Sequence, residues 1–116
     1  MEKTNRRTVP RIRTNMIAMI KRDETHQTCH LIDLSIAGAC IEGESHYKEN
    51  EIIDIQFDFS DIIANRKLTL PAMVVWSKED HEKIRHGLFF TMVNDLDLNL
   101  LAHVLHILET QTTQMT

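Results

Sequence analysis

Hydrophobic and polar residues alternate along much of the chain with the period of two that β-strands show. The clearest example is residues 53–59, where isoleucine and phenylalanine occupy every second position. This pattern predicts a strand with one buried face and one face in water. A second alternating run covers residues 67–77 and includes Pro71, which a sheet tolerates at an edge or a bulge. Trp76 falls on the apolar phase of this run and is predicted to lie in the core.

Four other apolar runs have the length of strands. They are residues 14–22, 27–34, 39–42 and 86–93. The charged segment that joins the last two long strands, residues 77–86, is predicted to be a loop. After residue 93 the apolar spacing changes to three and four, which indicates an amphipathic helix that Asn94 can cap. Its predicted apolar stripe consists of Leu98, Leu101, Leu105 and Leu108.

This order of elements predicts a mainly β fold in which an antiparallel β-barrel packs against a C-terminal helix. An open sandwich is the alternative. At 116 residues the chain has the usual size of one domain. We expect a flexible basic arm at residues 1–13, the barrel at residues 14–93 and the helix at residues 94–110, with frayed residues after it.

Charge is distributed unevenly along the chain. Residues 1–22 hold seven basic side chains and one acidic one, a net charge of +6, whereas the other 94 residues hold six basic and sixteen acidic ones, a net charge of −10. The basic arm is therefore expected to bind an anion, while the acidic body would repel an extended polyanion such as duplex DNA. A small, compact anion fits this distribution better, and no nucleic-acid partner is expected.

The composition favours a cytoplasmic protein without a metal or cofactor. The N-terminal residues lack the apolar core of a signal peptide, and no apolar run approaches the roughly 20 residues of a membrane-spanning helix. Cys29 and Cys40 have no Cys or His at metal-ligand spacing and are interpreted as small buried residues. His103 and His106 are three residues apart, but no further ligand accompanies them, so we expect them on a solvated helix face.

Two short motifs carry the candidate chemistry: Arg7-Thr-Val-Pro-Arg11, and Asp33-Leu-Ser35-Ile-Ala-Gly38 at the end of an apolar run. Arginine forms paired, charge-assisted hydrogen bonds with phosphates and with the O6 and N7 edge of guanine. A carboxylate can accept the two adjacent N–H groups of guanine, and a glycine lets the backbone turn sharply and a flat base approach. Together the motifs predict a guanine nucleotide site, although the second one alone would also suit a turn that satisfies its own backbone.

The two motifs resemble the bipartite signature of the PilZ domain. The later strand that ends near Val75 and Trp76, the Gly87-Leu-Phe-Phe90 strand and the terminal helix resemble that family as well. PilZ domains are bacterial receptors for cyclic di-GMP built on a six-stranded β-barrel, so the resemblance implies that fold, that ligand and no enzymatic activity. It also implies a role for each motif residue. Arg7 and Arg11 would fold over the ligand from a loop before the first strand, and Asp33, Ser35 and Gly38 would line the barrel surface.

In the PilZ family an arginine directly before the arginine motif tends to accompany binding of two stacked ligand molecules, and Arg6 occupies that position. The resemblance therefore implies two intercalated cyclic di-GMP molecules. It also implies a downstream partner protein, for which the ordered arm would form a new surface. A homodimer through the leucine stripe of the helix is a further possibility, beside packing of that stripe on the barrel.

Two other functions remain open at the level of sequence. The chain could be a PilZ-like adaptor that binds no nucleotide, although such proteins lack one of the two motifs and both are present here. It could also be an enzyme with Ser35 as nucleophile, but the Asp-x-Ser spacing supplies no general base.

Overall fold

The computed structural model describes residues 10–114 of the chain, and the side chains of residues 10–111. In chain order the described part contains the strands β1 (Ile12–Arg13), β2 (Ile17–Arg22), β3 (Thr25–Leu34), β4 (Gly38–Gly43), β5 (Ile52–Asp58), β6 (Lys67–Asp80) and β7 (Lys83–Phe90), followed by the helix α1 (Asp95–Gln114).

Six of the strands close into an antiparallel barrel. Hydrogen-bonded neighbours follow the order β3, β2, β5, β6, β7 and β4, and β4 pairs in turn with β3. The ten-residue β3 makes this closure possible, because its first part pairs with β2 and its second part pairs with β4. The short β1 lies outside the closed barrel against the end of β3. This confirms the predicted six-stranded barrel with a C-terminal helix.

The core lies inside the barrel and beneath the helix. The inward residues of β5 are almost completely buried, as their alternation predicted, and the rings of Phe57 and Phe59 stack with centroids 5.3 Å apart. Leu101 and Val104 of α1 have no exposed surface and belong to the same apolar cluster. Burial of each such side chain contributes about 1.5 to 3 kcal/mol. The predicted stripe is shifted at its start, since Leu98 is 38% exposed.

The segment predicted as a loop, residues 77–86, is instead a β-hairpin. β6 continues to Asp80, β7 begins at Lys83, and His81 makes the turn with a φ of 61°. Every residue from Ser77 to Lys83 is exposed because the hairpin projects beyond the barrel. With no buried face, the segment has no alternation of polar and apolar residues that could have predicted a strand.

The ends of the barrel unit also differ from the sequence-based boundaries. Ile12 and Arg13, assigned to the basic arm, form β1 opposite Leu34 and Asp33 of β3. The helix extends beyond residue 110 to Gln114. At its start Asn94 Oδ1 accepts the Asp97 backbone N–H at 2.8 Å, as predicted, which satisfies one of the free donors of the first turn.

Candidate functional site

A pocket of about 320 Å³ opens on the outer surface of the barrel where the end of β3, the start of β4, and the middle of β6 and β7 meet. Its described lining contains one cation, one carboxylate, an indole ring and several small residues. The lining consists of Arg11, Asp33, Ser35, Ala37, Gly38, Ala39, Cys40, Val75, Trp76, Gly87, Leu88 and Phe89. Both sequence motifs therefore contribute to one pocket, through Arg11 and through Asp33, Ser35 and Gly38.

Two irregularities of the strands turn side chains towards this pocket. In β3, Leu31 pairs with Ile41 and Asp33 pairs with Cys40, so one residue of β3 has no partner in β4. A bulge of this kind reverses the alternation of inward and outward positions. Leu31 and Leu34 are both buried in the core, and Asp33 between them lies on the pocket side. Regular alternation from Leu31 would have placed this carboxylate inside the barrel.

A second bulge has the same effect on Trp76. In β6, Val74 pairs with Leu88 and Trp76 pairs with Gly87, so Val75 is the additional residue. Val74 is fully buried, whereas Trp76 is 41% exposed and lines the pocket. The prediction that Trp76 belongs to the core is therefore wrong, because it extended the alternation of β6 past the bulge.

Gly87 provides the surface on which Trp76 rests. A Cβ atom at this position would overlap the indole ring, including its Nε1 atom. The ring thus lies directly against the backbone of β7, and it leaves a flat aromatic surface beside the pocket. The pairing of these two residues was not predicted, since nothing in the local sequence relates them.

Ser35 closes the turn between β3 and β4. Its Oγ accepts the backbone N–H groups of Ala37 and Gly38, each at 3.1 Å, and donates to the Gly38 carbonyl at 3.3 Å. The Ser35 N–H donates to the same carbonyl at 2.9 Å. The side chain is 6% exposed. Its hydroxyl group is therefore engaged in shaping the turn, and this turn forms one wall of the pocket.

Gly38 is required by a close approach of strands rather than by its own conformation. A Cβ atom would overlap the carbonyl oxygen of Leu88 in β7. Its φ is not positive, so the left-handed conformation often associated with glycine does not apply here. The expected sharp turn is supplied by Ser35, while Gly38 lets β4 pair with β7 at the edge of the pocket.

The charged groups of the pocket have no bonded partner within the described part of the chain. Among the described residues, neither the Asp33 carboxylate nor the Arg11 guanidinium forms a hydrogen bond or an ion pair. Arg13 lies opposite Asp33 in the register of β1 and β3, but no ion pair joins them. A half-buried carboxylate with unused acceptor capacity is suited to binding a ligand that presents N–H donors.

Cys40 lies in the floor of the pocket, between Asp33 and Gly87 in the strand register. Burial, together with the nearby negative charge of Asp33, raises the pKa of its thiol above the usual value. The thiol is therefore protonated at neutral pH. It acts as a small neutral surface, in agreement with its interpretation as a buried residue.

Two of the predicted ligand-binding residues, Arg6 and Arg7, lie outside the described residues. Arg11, with which Arg7 shares the first motif, is exposed at the mouth of the pocket. Residues 6 and 7 are thus five and four positions from a residue that lines the pocket.

The described part of the chain contains neither a cluster of three potential metal ligands nor a helix long and apolar enough to span a membrane. No histidine is among the described residues that line the pocket, so Ser35 has no imidazole base beside it there. The pocket offers binding groups: a carboxylate, a guanidinium and an indole face.

Comparisons with known proteins agree with this geometry. A family model described as the PilZ domain matches residues 5–108. No curated protein sequence matches the chain. Among solved structures, the inhibitor of motility MotI/DgrA from Bacillus subtilis has a TM-score of 0.77 and 14% sequence identity, over 93% of this chain and 52% of that one. This chain therefore spans about half the length of MotI.

Two further structures contain cyclic di-GMP. The PilZ domain of YcgR from Escherichia coli with c-di-GMP has a TM-score of 0.76 and 16% identity, over 95% of this chain and 96% of that one. The Borreliella burgdorferi PlzA protein in complex with c-di-GMP has a TM-score of 0.58 and 16% identity, over 82% of this chain and 38% of that one. At these identities the likeness shows a shared fold.

Proposed function

The chain belongs to the PilZ domain family, and we propose that it is a cytoplasmic, non-enzymatic receptor for cyclic di-GMP. The observation that carries the proposal is the Asp33 carboxylate, which has no partner among the described residues and lies in a pocket with Arg11 and the Trp76 indole. These groups complement the donors, the phosphates and the aromatic face of a guanine nucleotide. Two similar solved structures, of YcgR and PlzA, are complexes with this ligand.

Each residue of the pocket has a proposed role. Asp33 accepts the two adjacent N–H donors of one guanine, and Arg7 and Arg11 bind its phosphates and its O6 and N7 edge. Ser35 and Gly38 contribute by shaping the wall beside the base, because the Ser35 hydroxyl is already bonded within its turn. The Trp76 indole provides a surface on which a guanine can stack.

Binding is proposed to order the basic arm over the ligand and so create a surface for a partner protein. The arm holds five of the thirteen basic side chains of the chain, and a ligand with two phosphates offsets the repulsion among its arginines. Arg6 is proposed to favour two intercalated ligand molecules over one. Calorimetry is then expected to give two ligands per chain, and one ligand for Arg6→Leu.

A thermal-shift titration tests the proposal. A ligand that binds only the folded state raises its stability in proportion to the logarithm of its concentration. We expect cyclic di-GMP to raise the melting temperature, and GMP and cyclic di-AMP at equal concentration to leave it unchanged. Absence of a shift with cyclic di-GMP would favour the second candidate, an adaptor that keeps the fold without binding a nucleotide.

Tryptophan fluorescence gives a local reading of the same event. Trp76 is the only tryptophan of the chain and it lines the pocket, so binding there should change its emission. The change is expected to saturate with cyclic di-GMP, and in Asp33→Ala to require about ten- to a hundredfold more ligand. Incubation with cyclic di-GMP followed by chromatography checks the non-enzymatic part of the proposal, since the ligand should be recovered intact.

A further inference from the structure

The loop between β4 and β5, residues 44–51, inserts Tyr47 into the apolar core of the barrel. Tyr47 is 4% exposed and belongs to the core cluster. Its backbone N–H donates to Nε2 of His86 at 3.1 Å, and the two rings meet edge to face with centroids 5.1 Å apart. His86 lies on the inner face of β7 and is 1% exposed. A buried histidine thus anchors this loop from inside.

The outer side of the loop is held by Arg22 of β2. Its guanidinium lies 4.9 Å from the centroid of the Tyr47 ring and forms an ion pair with Glu51 at 3.1 Å. Glu51 also accepts the Lys48 N–H at 2.9 Å. Of these contacts, the bond to His86 alone depends on a group whose ordinary pKa lies near neutrality.

That bond exists only while Nε2 is unprotonated. Protonation would place an N–H opposite the Tyr47 N–H and would bring a positive charge into the apolar interior. Both the geometry and the burial therefore favour neutral His86 in the closed loop. Burial, assisted by the nearby His46, lowers the pKa of His86 below its usual value.

The groups around His86 offer little compensation for a positive charge. The titratable groups of the loop that face it are His46, whose ring centroid is 5.8 Å away, Tyr47 and the more distant Glu51. Behind the Tyr47 ring are Arg22, which is positive, and Cys29. Burial raises the pKa of Cys29 to about 12, so this thiol is neutral.

The neighbouring strands add no charge opposite His86. In register it pairs with Ile41 of β4 and Ser77 of β6, neither of which is ionisable. Glu51, the single carboxylate in this set, is already bonded to Arg22 and to the Lys48 N–H.

We propose that residues 44–51 form a pH-sensitive plug, which protonation of His86 releases from the end of the barrel. The plug closes above neutrality, and its open population increases as the pH falls below about 6.5, the ordinary pKa of histidine. Opening withdraws Tyr47 from the core and uncovers the region of Cys29, which borders a groove shared with Gly43 and Glu44 at the start of the loop. This device is separate from ligand binding.

Hydrogen exchange at the Tyr47 amide tests the plug in the full chain. After correction for the intrinsic exchange rate, its protection is expected to be about tenfold lower at pH 5.5 than at pH 7.5. The reason is that protonation of His86 in the open state, with its ordinary pKa of about 6.5, increases the open population about tenfold between these pH values. The same measurement on His86→Gln, whose amide oxygen can accept the bond without titrating, should show a change below about twofold. His46→Gln is the matched control and should keep the pH dependence.

The proposal is overturned if wild-type protection is the same at both pH values, or if His86→Gln keeps the full pH dependence. A second measurement needs no variant of His86. In a proton NMR titration of the wild-type chain, the imidazole of His86 is expected to titrate below about 6.5, and a pKa at or above that value would contradict the plug.

Discussion

The pocket and the plug use the same residue types in opposite ways. Asp33 and Glu51 are both half-buried carboxylates, yet Asp33 has no partner among the described residues, whereas Glu51 bonds Arg22 and the Lys48 N–H. Burial alone would raise the pKa of Glu51, but those hydrogen bonds outweigh it and hold that pKa below its usual value. A carboxylate that the fold satisfies stabilises the fold, and one that the fold leaves unpaired is available for a ligand.

The arginines show the same difference. Arg22 contacts the Tyr47 ring, the His46 carbonyl and Glu51, so its position is determined within the protein. Arg11 is exposed at the pocket and makes no such contact with the described residues. Changes at the plug should therefore alter stability, and changes at the pocket should alter affinity for the ligand.

The largest effect is expected at a residue where stability and ligand affinity cannot be separated. Gly38→Ala places a methyl group against the Leu88 carbonyl, so β4 and β7 must move apart at the pocket wall. We expect a loss of about 3 kcal/mol in the free energy of unfolding, together with loss of cyclic di-GMP binding. Urea unfolding measures the loss of stability, and calorimetry measures the loss of binding.

Gly43→Ala is the matched control on the same strand. Its Cβ would have ordinary contacts, the nearest at 3.4 Å from Cys29 Cβ. A stability loss equal to that of Gly38→Ala would show that the close approach at Leu88 is not the cause.

Asp33→Ala should reduce the affinity for the ligand and leave the stability of the fold almost unchanged. Loss of a charged hydrogen-bond acceptor is expected to weaken cyclic di-GMP binding by about ten- to a hundredfold, or roughly 1.5 to 3 kcal/mol. Since the carboxylate has no partner among the described residues, the free energy of unfolding should change by less than about 0.5 kcal/mol. Calorimetry measures the affinity and urea unfolding measures the stability of the same preparation. An unchanged affinity would show that Asp33 is not part of the binding site.

Glu51→Ala should reduce the stability of the fold and leave the affinity for the ligand almost unchanged. It removes the ion pair with Arg22 and leaves the Lys48 N–H without its acceptor. With allowance for partial exposure, we expect a loss of about 1.5 kcal/mol in the free energy of unfolding, and an affinity for cyclic di-GMP within about twofold of the wild type. A large loss of affinity would mean that plug and pocket are coupled.

The smallest effect is the pH dependence of the plug. His86 has a lowered pKa in the folded chain, so the unfolded chain binds more protons and stability decreases as the pH falls below about 6.5. Between pH 7.5 and 5.5 this group should account for a loss of about 1.4 kcal/mol in the free energy of unfolding. The difference between wild type and His86→Gln in urea unfolding at the two pH values measures it, and parallel pH profiles would speak against the assignment.

Much of the fold could be predicted because the relevant signals are local. The alternation in β5 reports directly which side chains are buried, and the change of spacing after residue 93 indicates the helix, although Val104 rather than Leu98 is buried there. The residue types of the two motifs likewise indicate guanine chemistry, and Arg11, Asp33, Ser35 and Gly38 do line one pocket. The predictions for Arg6 and Arg7 stay predictions.

Other features could not be predicted because they arise where strands meet. The prediction that Trp76 lies in the core assumed a regular alternation of inward and outward side chains. The bulge at Val75 reverses that alternation and turns Trp76 outward. The hairpin of β6 and β7 was missed because both of its faces are exposed. The self-bonded turn that Ser35 forms was expected only as an alternative for the second motif.

By itself, the sequence determined which residues are apolar at every second position, where the helix begins and which side chains can recognise guanine. Only the tertiary structure decided which polar groups of the described residues remain unpaired. Bulges in β3 and β6 turn Asp33 and Trp76 outward into one pocket, while the loop of residues 44–51 brings Glu51 to Arg22 and Tyr47 to His86. The reason is physical: side-chain chemistry belongs to a residue, but satisfaction of a hydrogen bond depends on what the closed barrel brings within reach.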